Sequence, residues 1–519
     1  MARPWRRSPL RLAATTVVAA AVAACLDPPC RVAGALPPAR PPGAVDATPR
    51  PGWVLPPLLG SAPDATYGTP VRRVVTSSVN FPFASILRAG LQVEDPGGGY
   101  VMFYEADRDQ SFHFKNMSVY ERRSGLPWAR PANTIGGMPH WRLGGGPPAL
   151  AYYRGISPSS TSLELLTVDV ASGAVASLAR PAETALPHVS TGGPVMAVLK
   201  AVLPTAYLEH WEVTYPSRDG SRYVWWADRG ADAVARGVVA LDLTSTPPTL
   251  LGMLTAWPPA RGRVLAARIA PSGGAVLVHF ESAGVYVYDT ALSVGRRIMA
   301  TGLLTDDAAD VMVASGSGHD TLVAVNDDEG AEDGGWVVAV DLITLNRSPL
   351  FPVPRDGGPR GGRPRVAVSG QAYDRPGWVV LSADACDDAA RGDWLCDKIV
   401  AMEVVTRRVV PLGTAHMCTD ATLERRREMA HAAATPNVDL SRVYFVSSSG
   451  SCRGRRDLFE LRTAGRLGDA APGGGGGGGG RPRRSHCRYR RGPRRQRGHR
   501  QWHRRQRGGA TLDHCQPPT

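Results

Sequence analysis

Pro271-Ser272-Gly273-Gly274-Ala275-Val276-Leu277-Val278-His279-Phe280 runs through Glu281-Ser282-Ala283-Gly284 into Val285-Tyr286-Val287-Tyr288-Asp289. Gly-Gly supplies the left-handed backbone that a tight turn needs, and each apolar run is too short and too rich in β-branched and aromatic residues for a helix. The stretch therefore reads as turn, strand, turn, strand, with an acid at the end. The same ending recurs at Val119-Tyr120-Glu121, Thr167-Val168-Asp169, Ala240-Leu241-Asp242, Ala339-Val340-Asp341, Ala401-Met402-Glu403 and Leu458-Phe459-Glu460. Successive acids lie 47 to 73 residues apart. A recurrent unit of roughly 40–50 residues made of short strands is the period of a β-propeller blade.

Paired strands flank most of these endings. Tyr223-Val224-Trp225-Trp226 precedes Gly237-Val238-Val239-Ala240-Leu241, and Arg442-Val443-Tyr444-Phe445-Val446 precedes Asp457-Leu458-Phe459-Glu460-Leu461. Turn signals stand before them at Pro216-Ser217-Arg218-Asp219-Gly220 and Pro436-Asn437-Val438-Asp439-Leu440. Only Thr422 to Ala433 carries helical periodicity. These units resemble the Ser-Pro-Asp-Gly blades of TolB-type, WD-repeat-like propellers. The resemblance spans residues 71–465 and implies an all-β propeller of seven blades, with six or eight as neighbouring counts. The 73-residue interval before Asp242 is read as an insertion or an eroded blade around His188 to Ala206. Each strand-ending acid is expected to accept hydrogen bonds from the turn after it.

Outside the repeat, the chain changes character. Residues 1–25 read as an export signal, with Arg3, Arg6, Arg7 and Arg11 ahead of an uncharged stretch from Leu12 to Ala24 that is too short to span a bilayer. Arg6-Arg7 is similar to a twin-arginine signal. Val22-Ala23-Ala24-Cys25 is similar to a lipobox, which implies lipidation and membrane anchorage at Cys25; the alternative is cleavage near Ala24 and a free secreted protein. Residues 26–70 form a proline-rich linker, with ten prolines between positions 26 and 60. Residues 466–519 form a tail in which eight glycines, Gly473 to Gly480, precede an Arg-rich segment expected to be disordered. That segment is either an RNA-binding arm or the product of a slipped reading frame.

The formal charge of +14 belongs to these ends: four arginines lie in the signal, and residues 481–519 carry thirteen arginines against Asp513. The body is close to neutral, so its charge gives no reason to expect nucleic acid there. Four cysteines fall in the body, and in an oxidising compartment the preferred pairing is Cys386 with Cys396 and Cys418 with Cys452.

Three clusters are candidates for chemistry. In Gln371-Ala372-Tyr373-Asp374-Arg375-Pro376-Gly377-Trp378, Asp374 offers an acceptor and Arg375 a bidentate fork to an anionic or sugar ligand, with Trp378 alongside; the alternative is a tight turn with Trp378 packed between blades. Gly318-His319-Asp320 resembles the Gly-His element of WD-type blades, implying a structural hydrogen-bond network, with ligand contact by His319 and Asp320 as the other reading. His416, Glu428 and His431 form the third. The sequence from His431 to Thr435-Pro436 resembles the blade of oligogalacturonate lyases that holds a divalent metal, with Glu428 where those enzymes carry Gln and Ala433 in place of a second His. The acidic loop Asp306-Asp307-Asp310 is read as solvated surface.

The expected function is an exported binding or scaffold module, secreted or held at the cell envelope, monomeric, with a carbohydrate or protein partner at the central funnel. The alternatives are a metal-dependent oligogalacturonate-type lyase and RNA binding through the tail.

Overall fold

A computed structural model describes residues 41–43, 55–76, 83–85, 91–106, 116–126, 140–141, 149–155, 163–169, 175–177, 198–199, 201–202, 211–213, 216–228, 236–245, 248–300, 308–328, 330–353, 365–384, 394–416, 433–447, 457–464 and 466–467. The described chain is all-β apart from a 3-10 turn at Pro259–Arg261 and helical residues 198–199 and 201–202.

Two N-terminal strands, β1 (Ser61–Pro63) and β2 (Pro70–Thr76), open the fold. Sheet 1 follows with β3 (Phe83–Ser85), β4 (Tyr100–Ala106) and β5 (Asn116–Glu121). Sheet 2 holds β6 (His140–Trp141), β7 (Ala149–Gly155), β8 (Leu163–Asp169) and β9 (Val175–Ser177). Sheet 3 holds β10 (Trp211–Val213), β11 (Arg222–Asp228), β12 (Arg236–Asp242) and β13 (Thr249–Leu254). Sheet 4 holds β14 (Val264–Ile269), β15 (Ala275–Phe280), β16 (Gly284–Asp289) and β17 (Gly295–Met299). Sheet 5 holds β18 (Ala309–Val313), β19 (Asp320–Val325), β20 (Trp336–Asp341) and β21 (Arg347–Pro352). Sheet 6 holds β22 (Val366–Ser369), β23 (Trp378–Ala383), β24 (Lys398–Glu403) and β25 (Arg408–Thr414). Sheet 7 holds the last strands, β26 (Ala434–Pro436), β27 (Arg442–Ser447) and β28 (Asp457–Arg462), completed by β2 and β1 in the order β1-β2-β28-β27-β26.

Every sheet is an antiparallel meander, a propeller-like unit, and all seven predicted acids fall on the third strand of a sheet. The wide interval before Asp242 holds no additional described sheet; its helical residues 198–199 and 201–202 lie between β9 and β10.

The apolar runs of sheets 4 to 7 have no polar face because each of these sheets is packed against a neighbour on both sides. On β23, Val379 and Leu381 pack with sheet 5, whereas Trp378 and Val380 pack with sheet 7. On β20, Val337 and Ala339 face sheet 6 and Val338 and Val340 face sheet 4. Side chains alternate across a strand, so a strand sandwiched between two neighbours needs apolar residues at both parities. Further core clusters join sheets 3 and 4 and join sheet 7 to sheet 1. Hydrogen bonds link the remaining neighbours: Trp141 Nε1 donates to the Val93 carbonyl at 3.0 Å, and His140 Nε2 lies 2.9 Å from Tyr223 Oη.

The turns joining first to second strands share one plan. The N–H of Ser217, Ala270, Ala314 and Asn437 each donates to the carbonyl five residues on, at Arg222, Ala275, His319 and Arg442. Gly220 and Gly273 take φ of 71° and 74° inside these turns, as their sequences predict.

The acids at the third strand ends behave as expected where they are exposed or only partly buried. Asp242 accepts from Thr244 N–H at 2.8 Å, Asp289 from Ser293 N–H at 3.0 Å, and Asp341 from Ile343 and Thr344 N–H at 2.9 and 2.8 Å. Glu460 departs from the rule. Its strand continues through Leu461 and Arg462, so the carboxylate is buried among arginines instead of meeting a turn.

Candidate functional site

In an antiparallel meander, the first-to-second turns of all sheets can gather at one end, and here several of them converge on a common cleft. It is lined by Gln92 ahead of β4, His140 and Trp141 on β6, Ser217 and Arg218 in the sheet 3 turn, and Gln371 and Tyr373 in the sheet 6 turn. The cleft holds about 350 Å³ of atom-free space, part of it open to solvent.

The lining residue Gln371 belongs to a buried polar hub centred on Asp310. Oδ1 accepts from Arg268 Nη1 at 2.6 Å and from Val311 N–H at 2.8 Å; Oδ2 accepts from Gly370 N–H at 2.7 Å and Gln371 Nε2 at 3.0 Å. Arg268 and Asp310 are 5% and 2% exposed, so this ion pair is desolvated and depends on its added hydrogen bonds. The reading of Asp310 as solvated surface is thereby corrected: Asp310 begins its contacts on β18, inside the protein, with Arg268 of the preceding sheet. Gln92 Nε2 donates to the Gln371 carbonyl at 2.5 Å, tying sheet 1 to the same hub. Nearby, Thr435 Oγ1 donates to the Leu91 carbonyl at 2.9 Å and lies 3.2 Å from Ser369 Oγ. Burial, and the negative charge of Asp310 after it, push the Tyr373 hydroxyl well above the ordinary tyrosine range, so Tyr373 stays protonated.

Arg218 forms the rim. Its backbone N–H donates to the Pro271 carbonyl at 2.8 Å, Nη1 donates to the Tyr373 carbonyl at 3.2 Å, and Nη2 pairs with Asp374 Oδ1. The guanidinium sits 5.5 Å from the centre of the Tyr373 ring, so stacking helps to hold it. A side chain of sheet 3 thus bonds to the turn of sheet 6.

The sequence-predicted residues separate into those that meet here and those that do not. Asp374 reaches the rim, with Arg218 as its partner. Arg375 and Trp378 face elsewhere: Trp378 is buried in the core between sheets 6 and 7, and the guanidiniums of Arg375 and Arg408 each lie 5.2 Å from its ring. Gly377, at φ 87°, donates its N–H to the Val313 carbonyl. The tight-turn reading therefore describes Arg375, Gly377 and Trp378. His319 Nδ1 lies 2.9 Å from Asp341 Oδ2, and Asp320 accepts from the backbone N–H and hydroxyl of Ser272. Asp341 is held below the usual carboxylate range; partial burial opposes this, but hydrogen bonds from Thr344, His319 and Ile343 outweigh it. Asp320 goes the other way, raised by burial against the pull of Ser272. Asp320 links sheets 4 and 5, His319 bonds within sheet 5, and neither lines the cleft.

His416 lies between β25 and the N-terminal segment. Its Nε2 is 3.9 Å from Asp64 Oδ2, and its carbonyl accepts from Ser447 Oγ at 3.1 Å. Glu428 and His431 lie outside the described residues, as do Cys25, Cys386, Cys418 and Cys452. Cys396 is disulfide-bonded. Among the described residues, no group of three or more His, Cys, Asp or Glu side chains is placed to hold a metal ion.

Burial lowers the pKa of His416, with Asp64 opposing. The unfolded chain therefore binds the proton more tightly than the folded one. The contribution to stability is complete above the unfolded value and is lost as pH falls from about 6.5 through the folded pKa. Urea unfolding near pH 7.5 and near pH 5 is expected to show this loss, and His416→Asn, which suits the positive φ of 51° at this position, is expected to flatten it. An unchanged pH slope in the variant would remove His416 from the acid response.

Arg218, Gln92, His140, Trp141, Arg268 and Asp310 were not predicted as site residues. The one signal that bore on them is the turn Pro216-Ser217-Arg218-Asp219-Gly220, whose conformation the sequence predicts but whose long-range partner it does not.

No protein-family model and no curated protein matches the chain. Among solved structures, it is similar to an oligogalacturonate lyase in complex with manganese, at 14% identity and a TM-score of 0.47, covering 79% of this chain and 96% of that one. It is also similar to an oligogalacturonate lyase from Vibrio parahaemolyticus, at 12% identity and a TM-score of 0.47, covering 78% and 96%. A prolyl endopeptidase is similar at 12% identity and a TM-score of 0.41, covering 74% of this chain and 49% of that one. These similarities assign no role to any residue of this chain.

Proposed function

We propose that the chain is an exported seven-bladed β-propeller acting as a binding module at the cell envelope or outside the cell, with its ligand in the Arg218–Tyr373 cleft. The ring is supported by the meander repeated in successive sheets, the packing of sheets 3 to 7 and of sheet 7 on sheet 1, and the pairing of β2 with β28, which puts both ends of the fold in one sheet. Export is supported by the basic, apolar and small-residue order of the first 25 residues, with Cys25 as a lipid attachment point in the anchored form.

The observation that carries the binding reading is the convergence of Arg218, Gln92, Trp141, Gln371 and Tyr373 from four sheets on one concave, partly polar cleft. It is tested by thermal-shift and calorimetric titration of the full chain with neutral monosaccharides, small hydroxy acids and dipeptides. A saturable stabilisation that Trp141→Ala abolishes is expected; no saturable binder in the panel would overturn the cleft. The lyase alternative is read in parallel with oligogalacturonate and Mn²⁺, by ultraviolet absorbance of an unsaturated product. Product that disappears in His416→Ala would favour the lyase over a pure binding role.

A further inference from the structure

We propose that Asp374 is an internal stand-in for the carboxylate of a small hydroxy acid, which binds by taking Arg218 from it and donating a hydroxyl hydrogen to Gln92. This inference rests on the binding reading of the cleft given above.

Arg218 is held in place without Asp374. Its backbone is anchored to Pro271, Nη1 is bonded to the Tyr373 carbonyl, and the guanidinium lies against the Tyr373 ring. The pair it makes with Asp374 is open to water, with side-chain exposures of 43% and 51%. Exposed pairs of this kind contribute little to stability, so an incoming carboxylate has a weak competitor and finds an oriented fork that suits its two oxygens.

Beneath the rim, Gln92 is 4% exposed and lines the cleft. Its Nε2 is committed to the Gln371 carbonyl, which fixes the amide plane. Its Oε1 has no hydrogen-bond partner among the described residues. A buried acceptor left empty is costly, and an O–H donor brought by a ligand removes that cost. The site therefore combines a cation at the rim with a lone acceptor on the lining residue Gln92, closed to water until a ligand opens the contact. A molecule carrying a carboxylate and a neighbouring hydroxyl matches both; a plain fatty acid or a polyol matches only one.

The test is isothermal titration of the full chain with glycerate, using propionate as the carboxylate without a hydroxyl and glycerol as the hydroxyl without a carboxylate. Glycerate is expected to bind at least tenfold more tightly than either control, by roughly the value of one hydrogen bond to a buried acceptor. Asp374→Asn, which removes the internal competitor and keeps its shape, is expected to tighten glycerate about fivefold. Arg218→Gln is expected to abolish measurable binding, and Gln92→Met to reduce glycerate to the level of propionate. Equal binding of glycerate and propionate, or no tightening in Asp374→Asn, overturns the proposal. A neutral sugar that binds in a manner sensitive to Trp141→Ala and indifferent to Arg218→Gln also overturns it while leaving the cleft as a binding site. Absence of any binder in the wider panel overturns the cleft itself.

Discussion

Asp310→Ala is expected to cost about 3–5 kcal/mol of folding stability, the range for removing one partner of a buried ion pair. The carboxylate accepts four hydrogen bonds, from Arg268, Val311, Gly370 and Gln371, and its neighbour Arg268 is 5% exposed. Alanine leaves a buried guanidinium without its counter-charge and takes the acceptor away from two backbone N–H groups, Val311 on β18 and Gly370 at the turn of sheet 6. The loss should appear as a lower midpoint in urea with little change in slope, since the surface exposed on unfolding is the same. Asp310→Asn retains the shape and one acceptor oxygen and should fall between the two. Replacing both members, Arg268→Met with Asp310→Leu, should recover part of the loss, because the desolvation cost of both charges goes with them. A loss below about 1 kcal/mol in Asp310→Ala would show that the hub is solvated. The hub also positions Gln371, whose carbonyl holds Gln92, so the same substitution should weaken ligand binding at the cleft above it.

The contrast between Asp310 and the strand-ending acids explains what was legible in the sequence. Asp242, Asp289 and Asp341 bond to groups two to four residues away, so a local pattern contains both donor and acceptor. Strand pairs and turns within a sheet are equally local, and period-two apolar runs report them directly. The core between sheets is legible too, through the apolar residues at both parities. The cleft is different. Arg268 and Asp310 are 42 residues apart, Arg218 and Asp374 are 156, and Gln92 and Gln371 are 279. Each is one polar residue in a first strand or its turn, and only the arrangement of sheets brings it to its partner. Asp374 stands out in the sequence because its turn is distinctive, but its partner Arg218 does not. Arg375 is equally distinctive, and the sequence does not show that its guanidinium lies over Trp378. Asp310 was read as surface because Asp306 and Asp307 stand beside it in the chain, although a strand began in between.

Glu460 marks the same limit and leads to a second large effect. It carries the repeat's acid into the interior of β28, where local turn chemistry no longer explains it. Oε2 accepts from Arg122 Nη1 at 3.0 Å and lies 3.9 Å from Arg72 Nη1, while Oε1 accepts from Arg462 Nε at 3.0 Å. Glu94 lies in the same network, 2.8 Å from Arg442 Nη2 and 3.4 Å from Arg122 Nε. Two buried carboxylates therefore balance four arginines across the junction of sheets 1 and 7, where the two ends of the fold share a sheet. Burial raises the Glu94 carboxyl against the pull of Arg442 and Arg122, and Glu460 raises it further. In Glu460→Ala that repulsion vanishes and an excess of positive charge remains, so Glu94 should ionise more readily while Arg122 and Arg72 lose their deepest counter-charge. The expected cost is about 3–5 kcal/mol, with unfolding beginning at this junction. Arg122→Ala should cost less, because Arg122 is nearer to solvent and shares its two carboxylates with Arg72, Arg442 and Arg462. The double variant should be less destabilised than the sum of the singles by about 0.5–3 kcal/mol, the coupling of residues in one network. Additive losses in that cycle, measured by urea unfolding, would show that Glu460 and Arg122 act independently and that the junction is held by its apolar core alone.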